Sequence, residues 1–278
     1  MNAANQKDER KLRDANESIM IDRPNFLFLI TDQQRADWLG CYGHKVVKTP
    51  NIDKISQSGT IFENFYTASP VCMPNRASLM TGRYPSLHGL RYNGCILPHR
   101  ANTFINLLAE AGYETAAFGK SHLQPYTAKA PMANSIEDLK HIKEAWNDIE
   151  RAESYLEEPQ FYQPDEKFEF ETPYYGFKNV DIVTSHGDRC GGHYRQWFRQ
   201  MAPDWQSFHD PKNELPNNYT CPQAYRTPVP EELYPTAYIR DRVVDYIHTA
   251  KNKDTPFFAF VSFPDPHHPF NPPGKYWD

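Results

Sequence analysis

Residues 72–83 read Cys-Met-Pro-Asn-Arg-Ala-Ser-Leu-Met-Thr-Gly-Arg, and this stretch constrains the chain more than any other. Pro74 has a fixed φ that suits the first turn of a helix, and Arg76 and Leu79 follow it at helical spacing. Cys72 is therefore predicted at a helix N-terminus, where free N–H groups and the helix dipole favour an anion. By itself the pattern also fits a buried cysteine that precedes an ordinary helix.

An apolar run that ends in an acid precedes this stretch, in residues 24–35 (Pro-Asn-Phe-Leu-Phe-Leu-Ile-Thr-Asp-Gln-Gln-Arg). The short, continuous run fits a buried parallel strand. Asp32 then lies at the carboxyl end of that strand, where open α/β sheets bind their ligands. A helix cap is the alternative role for an aspartate in this position.

Strand and helix patterns alternate along most of the chain. Predicted strands span residues 25–31, 60–66, 114–119 and 257–263, and predicted helices span residues 50–58, 74–82, 102–111 and 236–250. Alternation of this kind predicts an α/β fold with a mostly parallel sheet and helices on both of its faces.

Residues 124–235 interrupt this alternation, with many aromatic residues and one predicted helix at about 136–157. We expect an irregular insertion that forms a substrate-selecting wall, because long loops on α/β scaffolds often build the binding site. A surface elaboration with its own small core is the alternative. Residues 186–193 hold histidine and cysteine at a spacing loosely compatible with zinc, but a glycine-rich turn near the pocket is the favoured interpretation. Three basic side chains here are candidates to face an anionic ligand: Arg189, His193 and Arg195.

Composition bounds the function classes that remain. The 278 residues are 39% hydrophobic, which is enough for one sizeable core. A formal net charge of −5 argues against general nucleic-acid binding, and no apolar stretch has transmembrane length, so neither a nucleic acid nor a membrane is expected as a partner. Residues 1–22 are predicted to form a polar N-terminal tail without the apolar core of a signal peptide. The five dispersed cysteines suit reduced thiols, so we expect a cytoplasmic protein.

Residues 72–83 resemble the signature of the type I sulfatases, which belong to the alkaline phosphatase superfamily. Other stretches that look like marks of this family stand in order along the chain: residues 24–35, 40–43, 49–53, 59–66, 88–94, 112–122 and 256–270. The resemblance implies an alkaline-phosphatase-like three-layer α/β/α sandwich, with residues 23–278 as the N-terminal catalytic domain. Family members are longer, and their later half supplies further metal ligands and a lysine. We therefore expect this chain to be the N-terminal portion of such a protein.

The resemblance also implies an unusual nucleophile at position 72. In this family a formylglycine-generating enzyme oxidises the matching cysteine, here Cys72, to formylglycine, whose hydrated aldehyde attacks the sulfur of a sulfate ester. A divalent cation is implied too, held by Asp32 and residue 72, with Ca²⁺ first and Mn²⁺ or Mg²⁺ as alternatives. The cation would polarise the sulfate and acidify the attacking hydroxyl. Gln33 stands where many sulfatases carry a second aspartate, which leaves the identity of the metal open.

Five more residues take roles from the same resemblance. Arg76 orients the nucleophile, and Lys120 and His122, on one face of a predicted strand end, neutralise charge on the sulfate oxygens. His267 lies near the leaving-group oxygen, where it donates or shuttles a proton. Asn93 contacts the transferred group, at a place where phosphonate hydrolases carry a substrate-binding asparagine.

The predicted function is hydrolysis of a sulfuric ester whose alcohol is a small molecule or a carbohydrate. The alternative enzyme is a phosphonate monoester or phosphodiester hydrolase of the same superfamily, which Gln33 and Asn93 favour. Lys120 and His122 oppose it, because that group tends to carry uncharged hydroxyl residues at these positions. A third hypothesis, from another class, is a non-catalytic fragment that binds sulfated ligands.

Overall fold

One sheet organises the part of the chain that the computed structural model describes, which comprises residues 23–127, 145, 155–163, 168–250 and 253–277. Its strands are β1 (Phe26–Thr31), β2 (Glu114–Gly119), β3 (Asn179–Thr184), β4 (Gly191–Gly192) and β5 (Phe257–Phe263). They lie in the order β1–β5–β2–β3–β4. All neighbours pair in parallel except β3 and β4, so the predicted mostly parallel sheet is confirmed.

The α-helices of the described residues agree well with the sequence patterns. They are α1 (Pro50–Ser58), α2 (Cys72–Thr81), α3 (Pro85–His88), α4 (Phe104–Glu110), α5 (His193–Met201) and α6 (Pro235–Ala250). The four predicted helices correspond to α1, α2, α4 and α6, and each end lies within two residues of its prediction. Across the described ranges, no helix is both long and apolar enough to span a membrane.

Strand β5 sends side chains into both faces of the sheet, because successive residues of a strand point to opposite sides. Phe258 and Phe260 belong to the hydrophobic core that includes residues of α2 and α4. Val261 belongs to a second core that includes residues of α5 and α6. Burial of one such phenylalanine contributes about 1.5–3 kcal/mol relative to its exposure. Helices therefore cover both faces, and the predicted three-layer sandwich is confirmed.

Strand β2 ends in a glycine because β5 approaches it closely there. Gly119 has a φ of 93°, and a Cβ added to it would lie 2.0 Å from the carbonyl oxygen of Ser262. Only glycine tolerates both conditions. The next amide, Lys120 N, donates a hydrogen bond of 2.9 Å to that same carbonyl oxygen. Gly119 thus fixes where Lys120 leaves the sheet.

Two strand predictions need correction. β1 is a parallel strand as predicted, but it is not buried, since residues 26–29 are 36–51% exposed and the only strand pairing with it in the described residues is β5. Residues 60–66 form no strand, although they carry β-favouring side chains. Phe65 and Tyr66 are 79% and 83% exposed, and no strand of the described residues pairs with this stretch, so nothing in that part of the chain holds it extended.

The expectation of an irregular insertion at residues 124–235 is also corrected. β3 extends the parallel sheet beyond β2, and α5 packs against β3 and β4. Ile182 and Val183 are fully buried, which is why this segment forms a strand within the core rather than a surface loop. The helix predicted at 136–157 falls mostly outside the described residues. A substrate-selecting role for the segment stays a prediction.

A buried histidine, His88, links the C-terminal end of α3 to the preceding helix α2 and has a fixed tautomer. His88 is 3% exposed, and its Nδ1 accepts a hydrogen bond of 3.2 Å from Leu90 N. Its Nε2 therefore carries the proton and donates to Ser78 Oγ at 3.0 Å. A second proton, on Nδ1, would face the N–H group of Leu90 and is therefore disfavoured. Burial lowers the pKa of His88 to about 4.

This histidine makes the stability of the fold depend on pH. Above its unfolded pKa of 6.5 the ring is neutral in both states, and as the pH falls towards about 4 only the unfolded chain takes up the proton. We expect the free energy of unfolding to fall by about 3 kcal/mol across that window on account of His88 alone. Urea unfolding at several pH values should show a shallower acid loss for His88→Asn, whose side-chain oxygen still accepts from Leu90. An unchanged slope in the variant would contradict this assignment.

Candidate active site

The carboxyl ends of the central strands bring an acid and a base together at one edge of the sheet. Asp32 follows β1, and Lys120 follows β2. The side chain of Lys120 is fully buried, and that of Asp32 is 8% exposed. The Lys120 ammonium contacts Asp32 Oδ2 directly. This is the edge at which parallel α/β sheets bind their ligands, and it is where the sequence predicts Asp32.

The side chain of Arg76, on α2, extends to the same edge of the sheet and contacts residues from three strand ends. Its Nη1 donates to the carbonyl oxygen of Lys120 at 2.6 Å and to Ser262 Oγ at 2.8 Å. Its Nη2 lies 3.4 Å from Asp32 Oδ2. Because Arg76 stands about one helical turn after Cys72, these contacts fix the helix N-terminus relative to the strand ends.

The charges of this edge are buried and mutually dependent. Burial raises the pKa of the Asp32 carboxyl, but the charges of Arg76 and Lys120 outweigh it and leave that pKa below its ordinary value. Burial, and then the charge of Arg76, lower the pKa of Lys120 against the attraction of Asp32. Two cationic side chains thus face one carboxylate, which leaves the edge favourable for an anion.

Cys72 is the first residue of α2, two residues earlier than predicted for the helix start. Its sulfur lies 3.5 Å from Asn93 Oδ1, the only hydrogen-bond partner of that sulfur among the described residues. The same Asn93 oxygen accepts from Met73 N at 3.2 Å, so the asparagine also satisfies a free amide at the helix N-terminus. The structure therefore places the predicted nucleophile and the predicted substrate-binding asparagine side by side.

His122 lies in the loop after β2 and not on a strand, which corrects the expectation that it shares a strand face with Lys120. Its φ is 55°, a left-handed conformation that few residues other than glycine adopt. The ring is buried, and its centroid lies 4.4 Å from that of Tyr126. Burial, followed by the charge of Lys120, lowers the pKa of His122 well below its usual value. The surroundings thus favour a neutral ring where the sequence predicts a cation.

His267 stands beside the buried charges from the loop that follows β5. Its ring stacks on that of His186, with centroids 3.5 Å apart and planes at 8°. Its Nδ1 donates to the carbonyl oxygen of His268 at 2.6 Å, which leaves Nε2 as the atom that can take up or return a proton. Burial lowers the pKa of His267. His268, the neighbouring residue, contributes this carbonyl.

His186 is a component of the site that the sequence analysis considered only as part of a loosely spaced zinc pattern. Its Nε2 accepts a hydrogen bond from Lys120 Nζ and lies 3.9 Å from Asp32 Oδ2. Burial, and then Lys120, lower its pKa to about 2, so the ring is neutral. The glycine-rich turn predicted near the pocket begins at His186, and that turn was the feature of the sequence that could have indicated its place in the site.

Two of the three basic candidates that follow His186, His193 and Arg195, make structural contacts away from the site. His193 is buried, with Nδ1 accepting from Ile182 N at 2.9 Å. Arg195 donates to the carbonyl oxygens of Cys190 and Arg189 at 3.0 and 3.1 Å. These contacts hold the turn and its flanking strands together, which is a structural use of the side chains that were candidates to face an anion.

The cation implied by the sequence needs more ligands than this edge presents. Ca²⁺ takes about 6–8 oxygen ligands, whereas Asp32 supplies one carboxylate whose Oδ2 already contacts Lys120 and Arg76. Within the described ranges no group of three His, Cys, Asp or Glu side chains could hold a metal ion. The described residues alone do not form a metal site.

Known proteins resemble this chain both in sequence and in fold. An arylsulfatase of Clostridium perfringens is 28% identical over 257 residues, which cover 92% of this chain and 46% of the relative. An N-acetylglucosamine-6-O-sulfatase of Bacteroides thetaiotaomicron is 38% identical over 101 residues, or 36% of this chain and 18% of the relative. The solved phosphonate monoester hydrolase of Agrobacterium radiobacter superposes with a TM-score of 0.62 at 26% identity, covering 91% of this chain and 43% of that one.

The match to the arylsulfatase extends along nearly the whole chain. The chain spans less than half the length of the curated relatives it matches. The sequence profile of the sulfatase family matches residues 24–278, which begin two residues before β1. The chain belongs to the sulfatase family.

Proposed function

We propose that the protein of which this chain is part hydrolyses sulfuric esters, with residue 72 as the nucleophile. The observation that carries the proposal is the network in which Arg76, one turn after Cys72, binds the carbonyl of Lys120 and approaches Asp32. It fixes a helix N-terminus against buried cationic side chains, and both features favour a bound anion. A sulfate group would lie between them.

Four side chains near this edge would take the remaining catalytic roles. Lys120 would offset the negative charge on the sulfate oxygens, and Arg76 would keep the nucleophile and Lys120 at a constant separation. Asn93, which contacts Cys72 Sγ and Met73 N, would orient the nucleophile and the transferred group. His267 would exchange a proton with the leaving oxygen through Nε2.

The surroundings of Cys72 suit the formylglycine that sulfatases use. A cysteine nucleophile is ordinarily activated by a neighbouring base, whereas the only hydrogen-bond partner of this sulfur among the described residues is the amide oxygen of Asn93. After oxidation to formylglycine by a generating enzyme, the hydrated aldehyde supplies a hydroxyl nucleophile and a route to release sulfate. The formylglycine-generating enzyme would therefore be a partner of the protein during its maturation. A divalent cation at this site would need ligands from outside the described residues.

A phosphonate monoester hydrolase is the second candidate function. Asn93 beside the nucleophile favours it, and so does the fold shared with the Agrobacterium radiobacter enzyme. The buried ammonium of Lys120 argues for sulfate instead, because that group tends to carry uncharged hydroxyl residues at this position. For the alcohol part of the ester, both small molecules and carbohydrates agree with the proposal.

One assay separates the two candidates. The full-length protein should be given 4-nitrophenyl sulfate and the 4-nitrophenyl monoester of phenylphosphonate, which release the same alcohol. We expect the larger kcat/KM for the sulfate. A clear preference for the phosphonate would make the second candidate the correct one, and turnover of neither ester, with the protein binding sulfated ligands, would favour a non-catalytic binder.

A further inference from the structure

A buried glutamate outside the expected site residues lies beneath the loop that carries Lys120 and His122. Glu157 is fully buried. Its Oε2 accepts from His122 N at 2.9 Å, and its Oε1 accepts from Leu123 N at 3.1 Å and Gln124 N at 3.2 Å.

Three consecutive backbone amides that converge on one carboxylate form a small anion-binding concavity of the chain itself. Such bonds to an ionised acceptor are stronger than bonds between neutral groups. The Tyr174 hydroxyl adds a fourth donor to Oε1 at 2.6 Å. Burial raises the pKa of the Glu157 carboxyl, and these four hydrogen bonds act against that rise, so they offset part of the cost of burying a carboxylate.

The loop of residues 120–124 has an unfavourable backbone conformation at His122, which the contacts of Glu157 stabilise. His122 has a φ of 55°, and a residue with a side chain stays in this region only when its surroundings impose it. The amide of His122 is itself one of the three donors. The carboxylate therefore acts on the residue at which the chain turns.

The contact between the two segments is reciprocal. Gln124 Oε1 accepts from Leu156 N at 2.7 Å, one residue before Glu157. Tyr162 donates to the carbonyl oxygen of Leu156 at 2.7 Å. The segment that carries Glu157 is thus attached to the loop in both directions, and it cannot shift without moving the loop.

We propose that Glu157 is a positioning residue, which holds residues 120–124 in the conformation that presents Lys120 and His122 to the substrate. The inference rests on the proposed function for its consequence in catalysis. It does not rest on that function for the loop geometry. Glu157 itself would touch neither substrate nor nucleophile.

Replacement by glutamine tests this inference, because the side-chain shape is kept while one acceptor becomes a donor. In Glu157→Gln an N–H group must face at least one of the three amides. In the full-length protein we expect kcat for an aryl sulfate to fall about 100-fold, the scale of a misplacement near 1 Å, with KM changed much less. Hydrogen exchange should show the amides of residues 122–124 losing their protection together.

The control is Tyr174→Phe, which removes one donor from Glu157 and leaves all three loop amides bound. We expect this variant to keep kcat within about threefold of the parent. Equal losses of kcat in both variants, in step with lower melting temperatures, would assign Glu157 to general stability and overturn the proposal. A parental kcat in Glu157→Gln, with the loop amides exposed to exchange, would overturn it as well.

A second variant and a second measurement cover the cases in which Glu157→Gln does not fold or the parent hydrolyses no sulfate ester. If Glu157→Gln does not fold, Glu157→Asp retains the buried charge but is one methylene too short to reach all three amides. A kcat reduced at least about tenfold with KM little changed supports the proposal, and a parental kcat overturns it. If the parent hydrolyses no sulfate ester, the proposed function fails, whereas the exchange of the loop amides still decides whether Glu157 holds the loop.

Discussion

Replacement of Cys72 by alanine is expected to lower kcat/KM for an aryl sulfate by at least about 10⁴-fold, the scale seen when an enzyme loses its nucleophile. We expect the loss to reflect the missing nucleophile and not a damaged fold, since the sulfur has a single hydrogen-bond partner in the described residues and Cys72 is the first residue of α2. Asn93 still accepts from Met73 N in this variant, so the helix N-terminus keeps its bond. Steady-state kinetics and circular dichroism of the variant and the parent would separate activity from folding.

An exposed cysteine offers a matched control for this substitution. Cys221 lies outside the site, and its replacement by alanine should leave kcat/KM unchanged. If Cys72→Ala turned over the ester at the parental rate, residue 72 could not be the nucleophile, and the assignment of the site would be wrong.

The second large effect is expected for Lys120→Ala. A preorganised charge contact in a buried site contributes about 2–4 kcal/mol to transition-state stabilisation, so kcat/KM should fall by about 30- to 1,000-fold. Part of this loss reflects Asp32, whose carboxylate would keep Arg76 but lose the contacting ammonium. The measurement is kcat/KM for an aryl sulfate, with urea unfolding as a check on stability.

Lys178 provides the matched control, because it precedes β3 at the opposite end of the sheet and donates to the carbonyl oxygen of Tyr113 at 3.3 Å. Lys178→Ala should keep the parental kcat/KM. A similar loss in both lysine variants would show that the effect on Lys120 is structural. A Lys120→Ala protein with parental activity would remove the cation from the catalytic argument.

The elements that sequence patterns predicted best are those whose own residues determine their structure. α1, β2 and β5 have the bounds that the sequence patterns predicted, and α6 begins one residue earlier than predicted. Cys72 at a helix start and Asp32 at a strand end follow from the same local signals. Their spatial neighbours then follow from the parallel order of the strands.

The failures arose where partners distant in sequence decide the outcome. Residues 60–66 have strand-like side chains but pair with no strand among the residues that the structure describes, whereas residues 179–184 form a strand because β2 and α5 lie beside them. No local pattern distinguishes these two stretches.

The two unexpected residues of the site illustrate the same point for side chains. Glu157 is the last residue of the helix predicted at about 136–157, a stretch rich in charged residues, yet it is fully buried against amides more than 30 residues earlier in the chain. His186 meets a lysine 66 residues away. Contacts of this kind depend on the completed fold and leave no periodic signal in the sequence.

The most direct test of the central claim is the mass of the peptide that contains residue 72, taken from full-length protein that hydrolyses an aryl sulfate. The protein should be produced in a host that carries the formylglycine-generating enzyme. We predict that the peptide from the active preparation has the mass of an aldehyde, or its hydrate, in place of the thiol. An intact cysteine throughout a preparation with full sulfatase activity would contradict the account.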